Sequence, residues 1–195
     1  QSSIADAETY RDSLLVLLED SNTSNDELES MIETANNSIL ALQSDLVVQQ
    51  DLAAEWILRA IRNDFSNANL SGADLSSAYL MGANLDNADL SNADLSYAYL
   101  SNADLNNANL SNADLSNADL SYAYLSYAYL MGANLSYAYL SYAYLMGANL
   151  SNADLNNANL RNADLSNANL SFANLGYADL SGADLTGVNW DWATC

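Results

Sequence analysis

A chain of 195 residues, half of them apolar, is long enough for one elongated domain or two small ones, and its composition is that of a folded protein. Its 25 carboxylates face only four cations, Arg11, Arg59, Arg62 and Arg161, with neither lysine nor histidine, so the formal charge is −21. That balance argues against direct nucleic-acid binding through phosphates, repels anionic membranes, and removes the bases on which most acid–base and nucleophilic catalysis depends.

At the N-terminus the first residue is Gln1 rather than Met, which gives an expectation of export and of an extracellular or cell-surface location. Residues 1–64 contain all the glutamates and carry apolar residues at helical spacing. Ile4, Ala7, Tyr10, Leu14 and Leu17 predict a first helix, and the longest apolar cluster, Leu14 to Leu18, is one helical turn and far too short to span a bilayer. The polar stretch 21–26 predicts a turn, with Ser24 and Glu27 as a capping box for a second, longer helix. In that helix Ile32, Ala35, Ile39, Leu42, Leu46, Ala53, Trp56 and Ala60 follow a heptad seam interrupted by Gln49. The first helix is too short to cover the whole seam, so part of it is expected to pack on another subunit or on the neighbouring module.

A boundary near Phe65 divides this α-helical, coiled-coil-like hairpin (1–64) from a repeat region (65–190) and a short tail (191–195). Leu stands at every fifth position from Leu70 to Leu185, and an alanine precedes each by two residues, from Ala68 to Ala183. Phe65 and Trp190 extend the Leu register by one unit each way. A period of five matches neither the 3.6-residue helix nor a heptad, and Ser, Asn, Asp and Gly are poor helix formers. What fits is a short extended segment and a tight turn, repeated as a solenoid, with Ala and Leu inward and three positions outward.

Ser-Asn-Ala-Asp-Leu at 91–95 and Ser-Gly-Ala-Asp-Leu at 71–75 and 181–185 closely resemble the consensus of the pentapeptide-repeat family. The resemblance implies a mainly β fold, a right-handed quadrilateral β-helix with four pentads per coil, here joined to an N-terminal α-helical hairpin. Six such coils at the usual inter-strand spacing make a rod roughly 30 Å long. The block Ser-Tyr-Ala-Tyr-Leu-Ser-Tyr-Ala-Tyr-Leu-Met-Gly-Ala-Asn-Leu occurs at 121–135 and again at 136–150. A fifteen-residue duplication in a twenty-residue coil moves pentads to new sides, which argues against a built catalytic pocket.

No catalytic, metal or cofactor-binding residue is expected. Under the four-sided register Asp74, Asp94 and Asp114 stack about 5 Å apart, which reads as a hydrated acidic wall rather than a calcium site, relieved by amide ladders where Asn134 and Asn174 replace Asp. Twelve of the thirteen tyrosines lie in outward repeat positions. Tyr79 with Tyr99 and Tyr124 with Tyr144 are expected to stack between coils. Tyr122, Tyr124, Tyr127, Tyr129, Tyr137, Tyr139, Tyr142 and Tyr144 form an aromatic belt and, with Trp190, Trp192 and Cys195 at the C-terminal end, the candidate interaction surface. Cys195, the lone cysteine, is either a free thiol or an intermolecular bridge.

These features point to a non-enzymatic, self-assembling structural protein that builds a filament or surface layer, with a further copy of itself as partner. A second reading comes from the resemblance: some pentapeptide-repeat proteins imitate duplex DNA and bind type II topoisomerases, and a cytoplasmic acidic rod fits that role. A carbohydrate-binding module using the tyrosines is a third.

Overall fold

The structure is a computed structural model that describes Thr9, Arg11, Asp12 and residues 25–194. The expected first helix, the Ser24 cap and Cys195 therefore lie outside the described residues, apart from a short helical piece in which Arg11 pairs with Asp12 at 2.6 Å. The chain divides into two compact units, Gln1–Leu58 and Arg59–Cys195.

Helix α1 runs from Asn25 to Arg62, 38 residues, about 57 Å at the usual rise. Its seam is visible in its burial: Ala35 and Ile39 are buried and Ile32, Leu42 and Leu46 half-buried, while Met31, Leu40 and Val48 on other faces are exposed. The described seam does not extend to Ala60, which is exposed. Thr34 and Ser38 turn their hydroxyls back to the carbonyls of Ser30 and Thr34, which satisfies these polar side chains within the helix. Among the described residues no helix is long and apolar enough to cross a membrane.

From Asp64 to Thr194 the chain is one continuous parallel ladder in which every residue two places after the turn pairs with the residue twenty positions on, from Asp64 with Asn84 to Asn174 with Thr194. Twenty residues make one coil, and four pentads make its four sides. Each corner is a tight turn closed by an amide-to-carbonyl bond three residues back, as from Ala68 to Phe65 at 3.0 Å. The second residue of each pentad sits at positive φ, the conformation that a type II turn demands and that Gly and Asn adopt most easily.

Between coils the leucine amide donates to the bridge-position carbonyl of the next coil, as from Leu110 to Tyr129 at 2.7 Å, and the bridge-position amide donates back to an alanine carbonyl, as from Asp114 to Ala93 at 2.9 Å. Every backbone group of the inward stretch is thereby satisfied without water. The side chains directed inward are alanine and leucine alone from Ala83 to Leu175, all essentially inaccessible. Each buried leucine stabilises the fold by about 1.5–3 kcal/mol, which is how a chain with so polar a surface folds.

Candidate functional site

The four sides differ in what they carry outward at the bridge position, and the coil register sets the columns. Side A carries Asn69, Asp89, Asn109, Tyr129, Asn149, Asn169 and Asn189. Side B carries Asp74, Asp94, Asp114, Asn134, Asp154, Asn174 and Thr194, with no tyrosine in its column. Side C carries Tyr79, Tyr99, Asp119, Tyr139, Asn159 and Asp179, and side D runs Asp64, Asn84, Asp104, Tyr124, Tyr144, Asp164 and Asp184.

An Asp or Asn in these columns has a local task. Its Oδ1 accepts the amide of the residue two positions on, as Asp114 does from Ser116 at 2.9 Å and Asn134 from Ser136 at 3.1 Å, so that the side chain ties down the entry to the next corner. Where Asn follows Asp up a column, the amide also donates across the coils: Asn134 to Asp114 and Asn174 to Asp154, both at 3.0 Å. The expected amide ladders are present. Serine or threonine hydroxyls add a further bond in places, and they lead in holding four carboxyls, those of Asp74, Asp89, Asp179 and Asp184, below their ordinary range. For Asp74 the Ser76 hydroxyl at 2.7 Å leads and the Ser76 amide at 3.1 Å follows. For Asp184 the Thr186 hydroxyl at 2.6 Å leads and the Thr186 amide at 2.9 Å follows.

A tyrosine in a column forgoes the turn-closing bond, and where a second tyrosine stands in the next coil it gains a ring contact. Tyr79 and Tyr99 stack at 4.8 Å between centroids with planes 6° apart, and Tyr124 and Tyr144 at 5.1 Å and 5°. Both pairs were expected from the coil length. A third pair, Tyr122 with Tyr142 at 4.9 Å and 2°, lies on the corner beside side D, and the same twenty-residue spacing identifies it. A hydrogen bond and a ring stack each contribute about 0.5–1.5 kcal/mol, so Asp, Asn and Tyr exchange at this position with little net effect.

Corner tyrosines are different, because Tyr97, Tyr122, Tyr127, Tyr137, Tyr142 and Tyr177 all stand at positive φ, as do Phe172 and Trp192. For a bulky residue that conformation costs about 1–2 kcal/mol. Tyr127 shows one accommodation: its ring lies over Gly147 in the next coil, where a Cβ would come within 2.6 Å of the ring.

The eight tyrosines of the expected belt thus separate. Tyr122, Tyr124, Tyr142 and Tyr144 form a double stack at side D, Tyr127 and Tyr129 belong to side A, and Tyr137 and Tyr139 to side C. All eight remain exposed. At the C-terminal end Trp192 is 79% exposed and Trp190 36%. On side C an open groove of about 400 Å³ lies between Tyr97 and Tyr99 on one coil and Tyr139 two coils on, floored by Asn117 and Asp119. No cluster of metal-ligating side chains occurs among the described residues.

A pentad coil with an Ala-Leu interior and αL corners defines a class of repeat β-helix. The model of pentapeptide repeats matches the chain in eight copies over residues 64–96, 98–136, 128–167 and 163–193. The chain belongs to the pentapeptide-repeat family, whose solved relatives imply a right-handed quadrilateral β-helix. The pentapeptide repeat protein Rfr23 from the cyanobacterium Cyanothece 51142 is 30% identical, covering 71% of this chain and 94% of that one, with a TM-score of 0.52. HetL, a pentapeptide repeat protein involved in heterocyst differentiation regulation in Nostoc sp. strain PCC 7120, is 38% identical over 67% of this chain and 73% of its own, with a TM-score of 0.26. QnrB1, a plasmid-mediated fluoroquinolone resistance protein, is 24% identical over 67% and 68%, with a TM-score of 0.44. The comparison with curated proteins gave no match.

Proposed function

We propose that the protein is a non-catalytic structural scaffold that associates end to end into a filament or surface layer. The backbone groups at both edges of the described ladder carry this reading. In the interior each leucine amide donates to the next coil, as Leu165 does to Asp184 at 2.9 Å. The equivalent amides of Leu180, Leu185 and Trp190 donate to no backbone carbonyl among the described residues. At the other end the amides and carbonyls of Asn69, Asp74 and Tyr79 have no backbone partner among the described residues. The two edges are complementary in register and in donor and acceptor pattern, so a second copy continues the ladder.

The core side chains at both ends agree with this. Phe65, Leu70 and Leu75 at the start and Leu180, Leu185 and Val188 at the finish are only partly buried, unlike their counterparts between them. A parallel edge with apolar ends is a template for pairing, and a head-to-tail contact that does not close into a ring grows into a fibre. Exposed tyrosines add lateral contact area at low entropic cost.

Negative-stain microscopy over a concentration series, with and without reductant, tests the proposal. Particles should lengthen with concentration, and Trp190→Lys, which sets a charge on the terminal edge, should cap growth. Uniform short particles at all concentrations would remove the reading.

That result would favour the imitation of duplex DNA toward a type II topoisomerase. One observation supports that alternative: side B presents Asp74, Asp94, Asp114 and Asp154 without a tyrosine in the column. A topoisomerase binding assay with the full chain would then decide it.

A further inference from the structure

We propose that side C holds a binding slot for a planar aromatic cation, between Tyr99 and Tyr139 with Asp119 as counter-ion. The slot is a missing rung. Tyr79 and Tyr99 occupy successive coils and stack at 4.8 Å, whereas the next coil supplies Asp119 and the one after it Tyr139. Tyr99 and Tyr139 therefore stand two inter-strand spacings apart, about 9.6 Å. One flat ring placed midway meets each wall at about 4.8 Å, within the range for offset stacking and the same separation this protein uses between its own rings. On side D no such gap exists, because Tyr124 and Tyr144 are adjacent.

The floor of the slot selects charge. Asp119 and Asn117 are half-buried, and Asn117 is one of the few residues at the second pentad position that is not fully exposed. Asp119 is held in place because its Oδ1 accepts the Ser121 amide at 3.0 Å, while the described hydrogen bonds leave Oδ2 to the groove. Tyrosine faces are electron-rich and attract cations, the carboxylate lies between them, and a chain carrying −21 concentrates cations near its surface. A neutral ring gains no charge pairing from the carboxylate, and a sugar, although its hydroxyls can donate to it, gains nothing from the field of so acidic a chain. The groove of about 400 Å³ is within the size range of small-molecule sites. This inference is independent of end-to-end assembly, since side C is a wall and not an end.

The test is a fluorescence titration of the full chain with N-methylacridinium, together with three variants. Wild type should bind one equivalent saturably. Asp119→Asn keeps the shape and should weaken binding about tenfold, the size of one charge-assisted contact. Asp119→Tyr completes the stack and should abolish binding, and Asp164→Asn on side D should leave it unchanged. The variants are expected to fold, because Tyr139 and Asn159 already occupy the next two rungs of the column. Equal weakening by Asp119→Asn and Asp164→Asn, or unaltered binding by Asp119→Tyr, would show adsorption to the acidic walls and overturn the proposal. So would failure of wild type to bind while Asp119→Tyr lowers self-association, since the slot would then receive a ring from a second copy.

Discussion

Along the β-helix the inward columns hold Ala and Leu without exception from Ala83 to Leu175, whereas the outward position between them passes from Asp to Asn to Tyr in neighbouring coils. The interior admits one solution because a close-packed four-sided tube has fixed volume, and neither a larger residue nor a polar one fits. The wall admits several because an Asp or Asn closes a turn and a Tyr beside another Tyr stacks on it with similar net effect, as Tyr79 does on Tyr99 and Tyr124 on Tyr144. Fold is therefore encoded inside and individuality outside, and the fifteen-residue duplication could move pentads to new sides without disturbing the tube.

The sharpest way to break this contrast is a pair of substitutions four residues apart. Leu110 is fully buried, so Leu110→Asp places a carboxylate among leucines and should cost more than about 4 kcal/mol, enough to abolish cooperative folding by circular dichroism. Asp114→Asn keeps the turn-closing acceptor for Ser116 and an acceptor for the Asn134 amide, and it removes repulsion toward Asp94. Its thermal midpoint should equal or slightly exceed that of wild type. Equal damage from both would mean that inside and outside are wrongly assigned.

Much of this was readable before any coordinates. The Leu and Ala columns, the twenty-residue coil implied by the family resemblance and the pairs Tyr79–Tyr99 and Tyr124–Tyr144 follow from counting. The Tyr122–Tyr142 pair and the gap at Asp119 obey the same arithmetic and are found by extending it to every column. The strained corner tyrosines needed a different signal: Asn and Gly fill the second pentad position so often, as at Asn67, Gly72 and Gly82, that a left-handed turn is implied there. What covers the α1 seam could not be read, because a heptad pattern names an apolar face and not its partner.

The corner tyrosines sharpen the contrast within the wall itself. Tyr142 and Tyr177 both stand at positive φ, but Tyr142 stacks on Tyr122 whereas Tyr177 is 91% exposed. Asn relieves the backbone cost at either site. Tyr177→Asn should therefore stabilise the protein by about 1 kcal/mol, while Tyr142→Asn gives up a stack of similar size and should come out near zero. Thermal or urea denaturation of the two single variants checks this. A larger gain from Tyr142→Asn would mean that the stacks contribute nothing and that the tyrosines are kept only for contact with something else.

The smallest expected effect lies in the acid limb of the stability curve. Asp184 has its carboxyl held below the ordinary range, first by the Thr186 hydroxyl and then by the Thr186 amide. A depressed carboxyl stabilises the folded state fully above the unfolded value, near 3.9, and that contribution is lost as pH falls through the lower folded value. Opposed to it is Asp164, the bridge partner of Asp184 one coil earlier, whose like charge would push the carboxyl the other way. If the hydroxyl and amide win, the difference in thermal midpoint between wild type and Asp184→Asn is constant from pH 8 to about 5 and closes below about 4. A gap that shifts in favour of wild type on acidification would mean that repulsion up the column outweighs the turn. The wall would then be held against its own charge by the ladder beneath it.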